Sequence, residues 1–386
     1  MTPETKIRLC AVSLFGLEGV TADELKRLGF DKVEAETGKV FFEGTLRDIA
    51  RANIRLRTAE RVLICVGSGH AVTFTELFDI VRALPWEEYI PHDGEFPVKG
   101  HTLASELHSL PDCQAIVKKA IVERLKSVYG GEWLPETGER YQIQFSLRKD
   151  EFAIYIDTSG EGLHKRGYRE NAGIAPLRET LAAGILLISR YRGYESLYDP
   201  MCGSGTFLIE AALIATNRAP GLMRSFSAEK WRIMPEDAFQ KERAEAISLI
   251  RDLPCHIAGS DIDPEMARLT AENAEKAGVG NCVEVRTLPL NEVACEPDVL
   301  IVNPPYGERM ADKSAAAAAA RGLSRLRAGR AYVITSDERF EEFYHRRASK
   351  KRKLYNGMIK CDLYMYFNDK KGPSADRRPG RKSENK

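Results

Sequence analysis

The residues best suited to chemistry stand in the stretch 299–309, VLIVNPPYGER. Its first four residues form an unbroken apolar run, which predicts a short strand buried on both faces. Pro304 and Pro305 then stop the strand, because proline cannot donate a ladder hydrogen bond. Asn303, two outward carbonyls and the Tyr306 ring are thereby held at a strand's C-terminal end, the edge of open α/β sheets where ligands bind. Such a corner suits a planar exocyclic amine on a nucleobase. The lone pair of that amine is delocalised into the ring, so it is a poor nucleophile. The Asn303 side chain and the Pro304 carbonyl can accept its two N–H groups and stabilise the positive charge that develops on attack. Neither proline adds a competing donor, and Tyr306 can stack on an extruded base. The same residues would also serve as an ordinary exit from a strand.

Two further stretches would hold a ligand near that corner. In 197–210, LYDPMCGSGTFLIE, a strand runs through Asp199 into a turn containing Gly203 and Gly205, then into a helix. Glycines let the backbone approach a ligand closely, and the helix N-terminus offers unpaired N–H groups. A G-x-G pair alone is shared with dinucleotide enzymes. In 256–264 a second strand ends in two acids, Asp261 and Asp263. An acid at such a tip can accept both hydroxyls of a ribose, and Asp261 is assigned that role. Asp263 precedes Pro264 and reads as the N-cap of a helix over 264–277, closed by Gly278. Cys202 reads as a small apolar turn residue, not a nucleophile. Strands over 282–286 and 331–335 and the alanine-rich helix at 314–320 continue the α/β alternation.

The elements that must position these residues occupy a chain of 386 residues, long enough for two or three domains. Its eight cysteines form no C-x-x-C pair, which suits a reducing cytoplasm and argues against a structural zinc site or a disulfide frame. The first ten residues lack a signal-peptide layout, and the run 182–188 is far too short to span a bilayer. No metal is expected. Charge is uneven. Residues 1–165 hold 21 Lys and Arg against 26 Asp and Glu, whereas residues 346–386 hold 14 against 4. A nucleic acid would therefore meet its strongest positive potential near the C-terminus.

Residues 1–57 and 58–165 read as two successive α/β units, the second with a helix from 111 and a hairpin turning at Lys149 and Asp150. The cluster His164, Lys165, Arg166 and Arg169 is either a phosphate contact or a solvated linker. Pro176 opens an amphipathic helix running to 189. Residues 350–355 and 359–367 form a hairpin around Asn356 and Gly357. Its first strand carries Lys351, Arg352 and Lys353, as RNA contacts or as guards against edge-to-edge pairing. The basic residues 371–386 read as a disordered tail.

Several of these stretches, taken whole, resemble the THUMP-containing RNA methyltransferases, in particular the YpsC/RlmL-like group. They are FGLE at 15–18, PDCQAIVKKA at 111–120, DTSG at 157–160, LHKRGYR at 163–169, DPMCGSGT at 199–206 and NPPY at 303–306. The segment 100–107 departs from the pattern, lacking the lysines of that loop. The resemblance implies a ferredoxin-like domain (1–57), a THUMP RNA-binding domain (58–165) and a Rossmann-like class I methyltransferase domain (166–370). That last domain would carry a seven-stranded sheet whose seventh strand is antiparallel. It implies S-adenosylmethionine as cofactor, with Asp199 facing its amino group, Cys202, Gly203, Ser204, Gly205 and Thr206 around its methionine part, and Pro176, Asp261 and Ile262 beside it. The family's acid after the third strand is absent here, so Thr287 or a backbone group would take its place. The long insertion 211–255 is expected near the active site. The implied reaction is methyl transfer to N2 of a guanine in 23S ribosomal RNA, with Asn303, Pro304, Pro305 and Tyr306 as the catalytic corner. Guanine methylation of tRNA, N6-adenine methylation of nucleic acid, methylation of a protein glutamine and a non-catalytic RNA-binding or ribosome-assembly role are the rivals.

Overall fold

The computed structural model of the chain describes residues 4–131, 133–169, 177–252, 254, 256–305 and 310–367. They form two compact units, Met1–Arg166 with Ala219–Ser248 and Gly167–Arg218 with Leu249–Lys386.

In the first unit seven strands build one mixed sheet. They are β1 (Ile7–Ser13), β2 (Asp31–Glu36), β3 (Lys39–Gly44), β4 (Ala59–His70), β5 (Val98–Leu103), β6 (Gln142–Arg148) and β7 (Glu151–Asp157), in the spatial order β2-β3-β1-β4-β7-β6-β5. The twelve-residue β4 pairs with β1 on one side and β7 on the other, so the two α/β units expected from the sequence share one continuous sheet. Alternation builds the core: Leu9, Ala11, Val40, Phe42, Val62 and Ile64 are all buried in one cluster with the helices Glu18–Arg27 and Leu46–Arg55. The hairpin turn falls at Lys149 and Asp150, both with positive φ (53° and 64°), as the sequence predicts. Two strands are additions to that reading. Neither β2, exposed along nearly its whole length, nor β5, which overlaps the segment 100–107 read as a loop, shows an apolar pattern to find.

Residues 219–248, part of the insertion 211–255, cluster with the first unit. Gly221 donates its N–H to the Ile54 carbonyl (2.9 Å), and a Cβ there would stand 2.7 Å from the Ile54 Cα. Trp231 stacks on Tyr141 at 4.7 Å between centroids, and Arg47 pairs with Asp237 at 2.6 Å.

The second unit carries β8 (Leu197–Asp199), β9 (Ile257–Asp261), β10 (Val283–Thr287), β11 (Val299–Val302), β12 (Arg330–Thr335), β13 (Lys350–Asn356) and β14 (Ile359–Phe367). Their order is β10-β9-β8-β11-β12-β14-β13, with β14 antiparallel to both neighbours and the first five strands parallel. This is the expected doubly wound methyltransferase sheet with its seventh strand antiparallel. All four residues of β11 are buried, as an apolar run covered on both faces requires. The helix expected to start at Pro176 and to be amphipathic instead spans Glu179–Ile188, with its first eight residues all buried. Among the described residues no helix is long and apolar enough to cross a membrane.

Candidate active site

Strand lengths shape the site. Strand β8 is short because Pro200 follows Asp199. In register, Asp199 lies beside Gly259 of β9, so Asp261 stands two residues further on. Leu300 of β11 lies beside Tyr198, which likewise puts Asn303 two residues beyond the level of Asp199. Two residues of strand are about 7 Å, and the strands flanking β8 are about 10 Å apart. The C-terminal edge therefore holds a notch with Asp199 at its floor and Asp261 and Asn303 on its walls. The chain order reverses at β8, the topological switch point where open α/β sheets bind ligands.

The floor is electrostatically tense. Asp199 is 2% exposed and, among the described residues, accepts one hydrogen bond, from the Met201 N–H at 3.1 Å. Burial and, after it, the Asp261 carboxylate push its carboxyl up to about 8, against the Met201 bond that lowers it. A cation entering the notch would relieve this.

The turn after β8 is held open from behind. Gly203 (φ 53°) donates its N–H to Asp261 Oδ2 at 2.9 Å, and its carbonyl accepts the Thr270 hydroxyl at 2.7 Å. Asn273 Nδ2 donates to the Ser204 carbonyl at 3.0 Å. Both clamps come from one face of helix Pro264–Lys276, and the sequence reading missed them. A threonine and an asparagine three apart facing a glycine turn were the available signal. A Cβ built on Gly203 meets nothing within 4 Å, whereas one on Gly205 (φ 84°) would stand 2.7 Å from Thr270 Cγ2. Gly205 thus serves close packing, and Gly203 leaves its face open toward the notch. Gly205 caps helix Thr206–Ala215, whose first N–H groups lie at the turn. Cys202 is buried, and desolvation pushes its thiol up and away from reactivity.

On the β9 wall, Asp261 Oδ1 also accepts the Asp263 N–H at 3.0 Å. Asp263 is the N-cap of its helix, accepting from the Glu265 N–H, as the sequence predicts. Ile262 is 71% exposed, an apolar side chain held in water beside the notch. Thr287 ends β10 directly opposite Asp261. On the β11 wall, Pro304 is buried, Pro305 exposed and Asn303 half-buried. Asn303 Oδ1 is inaccessible to solvent and has no hydrogen-bond partner among the described residues. Leaving such a carbonyl unpaired costs about 1–3 kcal/mol, so the position favours an incoming donor. Tyr306 and Pro176 lie outside the described residues.

The first basic cluster does not form a phosphate surface. Arg166 is 3% exposed and donates to the carbonyls of Leu163 and Arg57. Arg169 is 8% exposed, paired with the buried Glu179 at 2.7 Å and donating to Thr206 Oγ1 at 3.2 Å. A buried guanidinium needs such partners, and they occupy the groups expected to meet RNA. Lys165 alone is exposed, beside Glu161 at 3.0 Å. On β13, Lys351 pairs with Glu341, Arg352 is half-buried and Lys353 is exposed.

The residues present fit S-adenosylmethionine: an open glycine turn at a helix N-terminus, a strained acid for an ammonium, a second acid at a strand tip and an exposed apolar side chain beside it. Comparison with known proteins agrees. Residues 166–365 match the model of the RMKL-like methyltransferase domain, residues 8–63 the RlmL ferredoxin-like domain and residues 71–157 the THUMP domain. The chain is 44% identical to "Putative RNA methyltransferase YpsC" of Bacillus subtilis, over 94% of this chain and 96% of that one. It is 32% identical to the ribosomal RNA large subunit methyltransferase K/L of Legionella pneumophila over 90% of its own length, and spans about half (51%) of that longer protein. Among solved structures, a "predicted N6-adenine-specific DNA methylase" of Listeria monocytogenes matches with TM-score 0.89 and 46% identity, over 94% of this chain and 96% of that one. A methyltransferase "complexed with SAH" matches with TM-score 0.89 and 38% identity, over 96% and 100%. The chain belongs to the THUMP-containing, RMKL-like family of S-adenosylmethionine-dependent methyltransferases.

Proposed function

We propose that the protein methylates RNA at the exocyclic N2 amine of a guanine, in 23S ribosomal RNA. The observation that supports a planar amine as the acceptor is the unpaired, buried Asn303 Oδ1 on the notch wall opposite Asp261. One N–H of the amine donates to it and the other to the Pro304 carbonyl, so both acceptors strengthen as positive charge develops on nitrogen. Asp199 receives the cofactor's ammonium, the turn at residues 202–206 supports its methionine part, Asp261 accepts the ribose hydroxyls, and Ile262 and Thr287 border its adenine. When bound, S-adenosylmethionine supplies an electrophilic methyl group. Tyr306 stacks on the flipped base. The rate gain comes chiefly from positioning, worth about 7–11 kcal/mol where two reactants are held in line.

The RNA assignment is supported by the THUMP match and by the names of the YpsC and K/L relatives. A second reading, N6-adenine methylation, takes support from the name of the Listeria structure and uses the same corner, since both acceptors are planar amines. Methyl transfer from labelled S-adenosylmethionine to protein-free 23S RNA, tRNA and duplex DNA, followed by nucleoside mass spectrometry, separates the two. N2-methylguanosine in the 23S RNA is the expected product; N6-methyladenine, or label only in DNA, would overturn the substrate assignment and keep the corner.

A further inference from the structure

The segment 321–353 carries 11 Lys and Arg against 4 Asp and Glu. Its folding gathers several of these cations around one aromatic stack in the second unit. Tyr366, Tyr344, Phe340 and Tyr364 pack in series, with ring centroids 4.6, 5.1 and 5.0 Å apart. They fix the short helix Phe340–Tyr344 against β14. Arg346 lies over the Tyr366 ring at 5.5 Å and Lys351 over the Tyr364 ring at 4.9 Å. Phe343, on the outer side of the short helix, lies under two guanidinium groups, Arg321 at 5.7 Å and Arg339 at 5.1 Å. Arg321 comes from the end of helix Met310–Leu323 and Arg339 from the loop after β12.

Two like charges sharing one ring repel each other, and the exposed cation–π contacts return only about 0.5–1 kcal/mol each. Other arginines of the unit do meet acids, Arg169 with Glu179 and Arg330 with Glu195 among them. Among the described residues no carboxylate pairs with Arg321, Arg339 or Arg346; Arg346 donates only to the Phe367 carbonyl, at 3.0 Å. The ridge begins at the catalytic edge. Thr335 ends β12 beside the strand that delivers Asn303, and Arg339 follows four residues later. Lys353 stands in register with Asp362, which is itself opposite Thr335, so its level is the same edge. From there the ridge runs along the short helix to Arg346, whose neighbour Phe367 pairs with Arg330 at the far edge.

We propose that Arg339 and Arg321 on Phe343, Arg346 on Tyr366 and Lys353 on β13 form the track on which the phosphate backbone of the substrate RNA lies as it leaves the catalytic corner. The proposal rests on the reading of the substrate as RNA. Guanidinium groups pre-set on aromatic rings keep their forks free for bidentate phosphate contacts. Arginines without a carboxylate partner among the described residues also fit a partner read by its backbone and not by its bases.

The test is binding of a protein-free 23S RNA transcript across a salt series, with the full chain and its R321Q/R339Q/R346Q variant. S-adenosylmethionine binding by both proteins reports that the notch remains folded. The variant should bind the transcript roughly tenfold more weakly near 0.1 M salt, and its log-log salt slope should be shallower by about 2, the loss of three single-strand phosphate contacts. An unchanged slope with cofactor binding intact would overturn the track while leaving the methylation reading in place. Should the triple variant lose cofactor binding, the single variant R346Q is measured instead, with an expected slope change of about 0.7. A wild-type protein that methylates duplex DNA and not RNA would remove the substrate reading itself. Stronger binding of the variant to RNA than to anionic vesicles, with wild type preferring the vesicles, would reassign the ridge to a lipid surface.

Discussion

Replacing Asp199 by Asn tests the floor of the notch in two independent ways. In the protein the Asp199 carboxyl is pushed up to about 8, first by burial and then by Asp261. In the unfolded chain it would titrate at the ordinary 3.8. Below about pH 4 both states are protonated, and the group adds no pH dependence. Between about 4 and 8 the folded protein holds a proton that the unfolded chain has released, so unfolding free energy falls as pH rises. Above 8 the full cost of the buried charge is present, up to about 6 kcal/mol at 1.36 kcal/mol per unit. Asn is nearly isosteric, still accepts the Met201 N–H and never ionises. Cofactor-free D199N should therefore lose less stability than wild type between pH 5 and pH 9. Even half the full cost would separate the two melting curves by roughly 6–12 °C at the upper pH. The second arm is affinity. If the cofactor's ammonium requires the ionised carboxylate, wild-type binding should tighten about 50-fold from pH 6 to pH 8, and D199N should bind weakly with no such dependence. Differential scanning fluorimetry and calorimetric titration across that range measure both. Parallel melting profiles for the two proteins would refute the buried-charge argument, and a flat wild-type affinity would refute the ammonium contact.

Three further perturbations separate chemistry from scaffolding. Asn303→Ala should lower the rate of methyl transfer by about 10²–10³, the loss of one preorganised acceptor, while calorimetry shows cofactor affinity retained; equal loss of both would make Asn303 a folding residue. Asn273→Ala unpairs the Ser204 carbonyl at about 1–3 kcal/mol, and should raise the KM for S-adenosylmethionine while leaving kcat at saturation near wild type. Arg169→Ala removes the guanidinium paired with the buried Glu179 at 2.7 Å and should lower the unfolding free energy in urea by about 3–5 kcal/mol. The salt slope of RNA binding should not change, whereas a shallower slope would restore Arg169 as a phosphate contact.

The parts of the site legible in the sequence are those where backbone chemistry leaves few choices. Prolines after Asp199 and Asn303 mark strand ends, glycines with positive φ mark the turn, and Asp263 before Pro264 marks a helix start; each stands where the sequence puts it. The missed parts depend on what converges in space. Thr270 and Asn273 are unremarkable polar residues in a helix until the turn they clamp is folded against them. Arg166 and Arg169 read as surface charge because a sequence does not show the carbonyls and the Glu179 carboxylate that enclose them. Strand β2 escaped for the opposite reason: an exposed edge strand needs no apolar period, only the backbone of β3. That part of the insertion clusters with the first unit is hidden from the sequence, because Trp231 finds its stacking partner, Tyr141, ninety residues earlier in the chain.

The depth of the notch follows from counting residues between prolines. Pro200 stops β8 one residue after Asp199, and Pro304 stops the neighbouring chain one residue after Asn303, with the register of Leu300 against Tyr198 fixing their offset. Were β8 two residues longer, its end would fill the space between Asp261 and Asn303. Were β11 to slip by one residue, its side-chain alternation would turn Asn303 to the other face. The four buried residues of β11 resist that slip, since both faces of the strand are packed and neither offers room for the shifted set. The apolar run before the corner is thus what aims it: Val299 to Val302 do no chemistry, yet their packing decides where the Asn303 acceptor points.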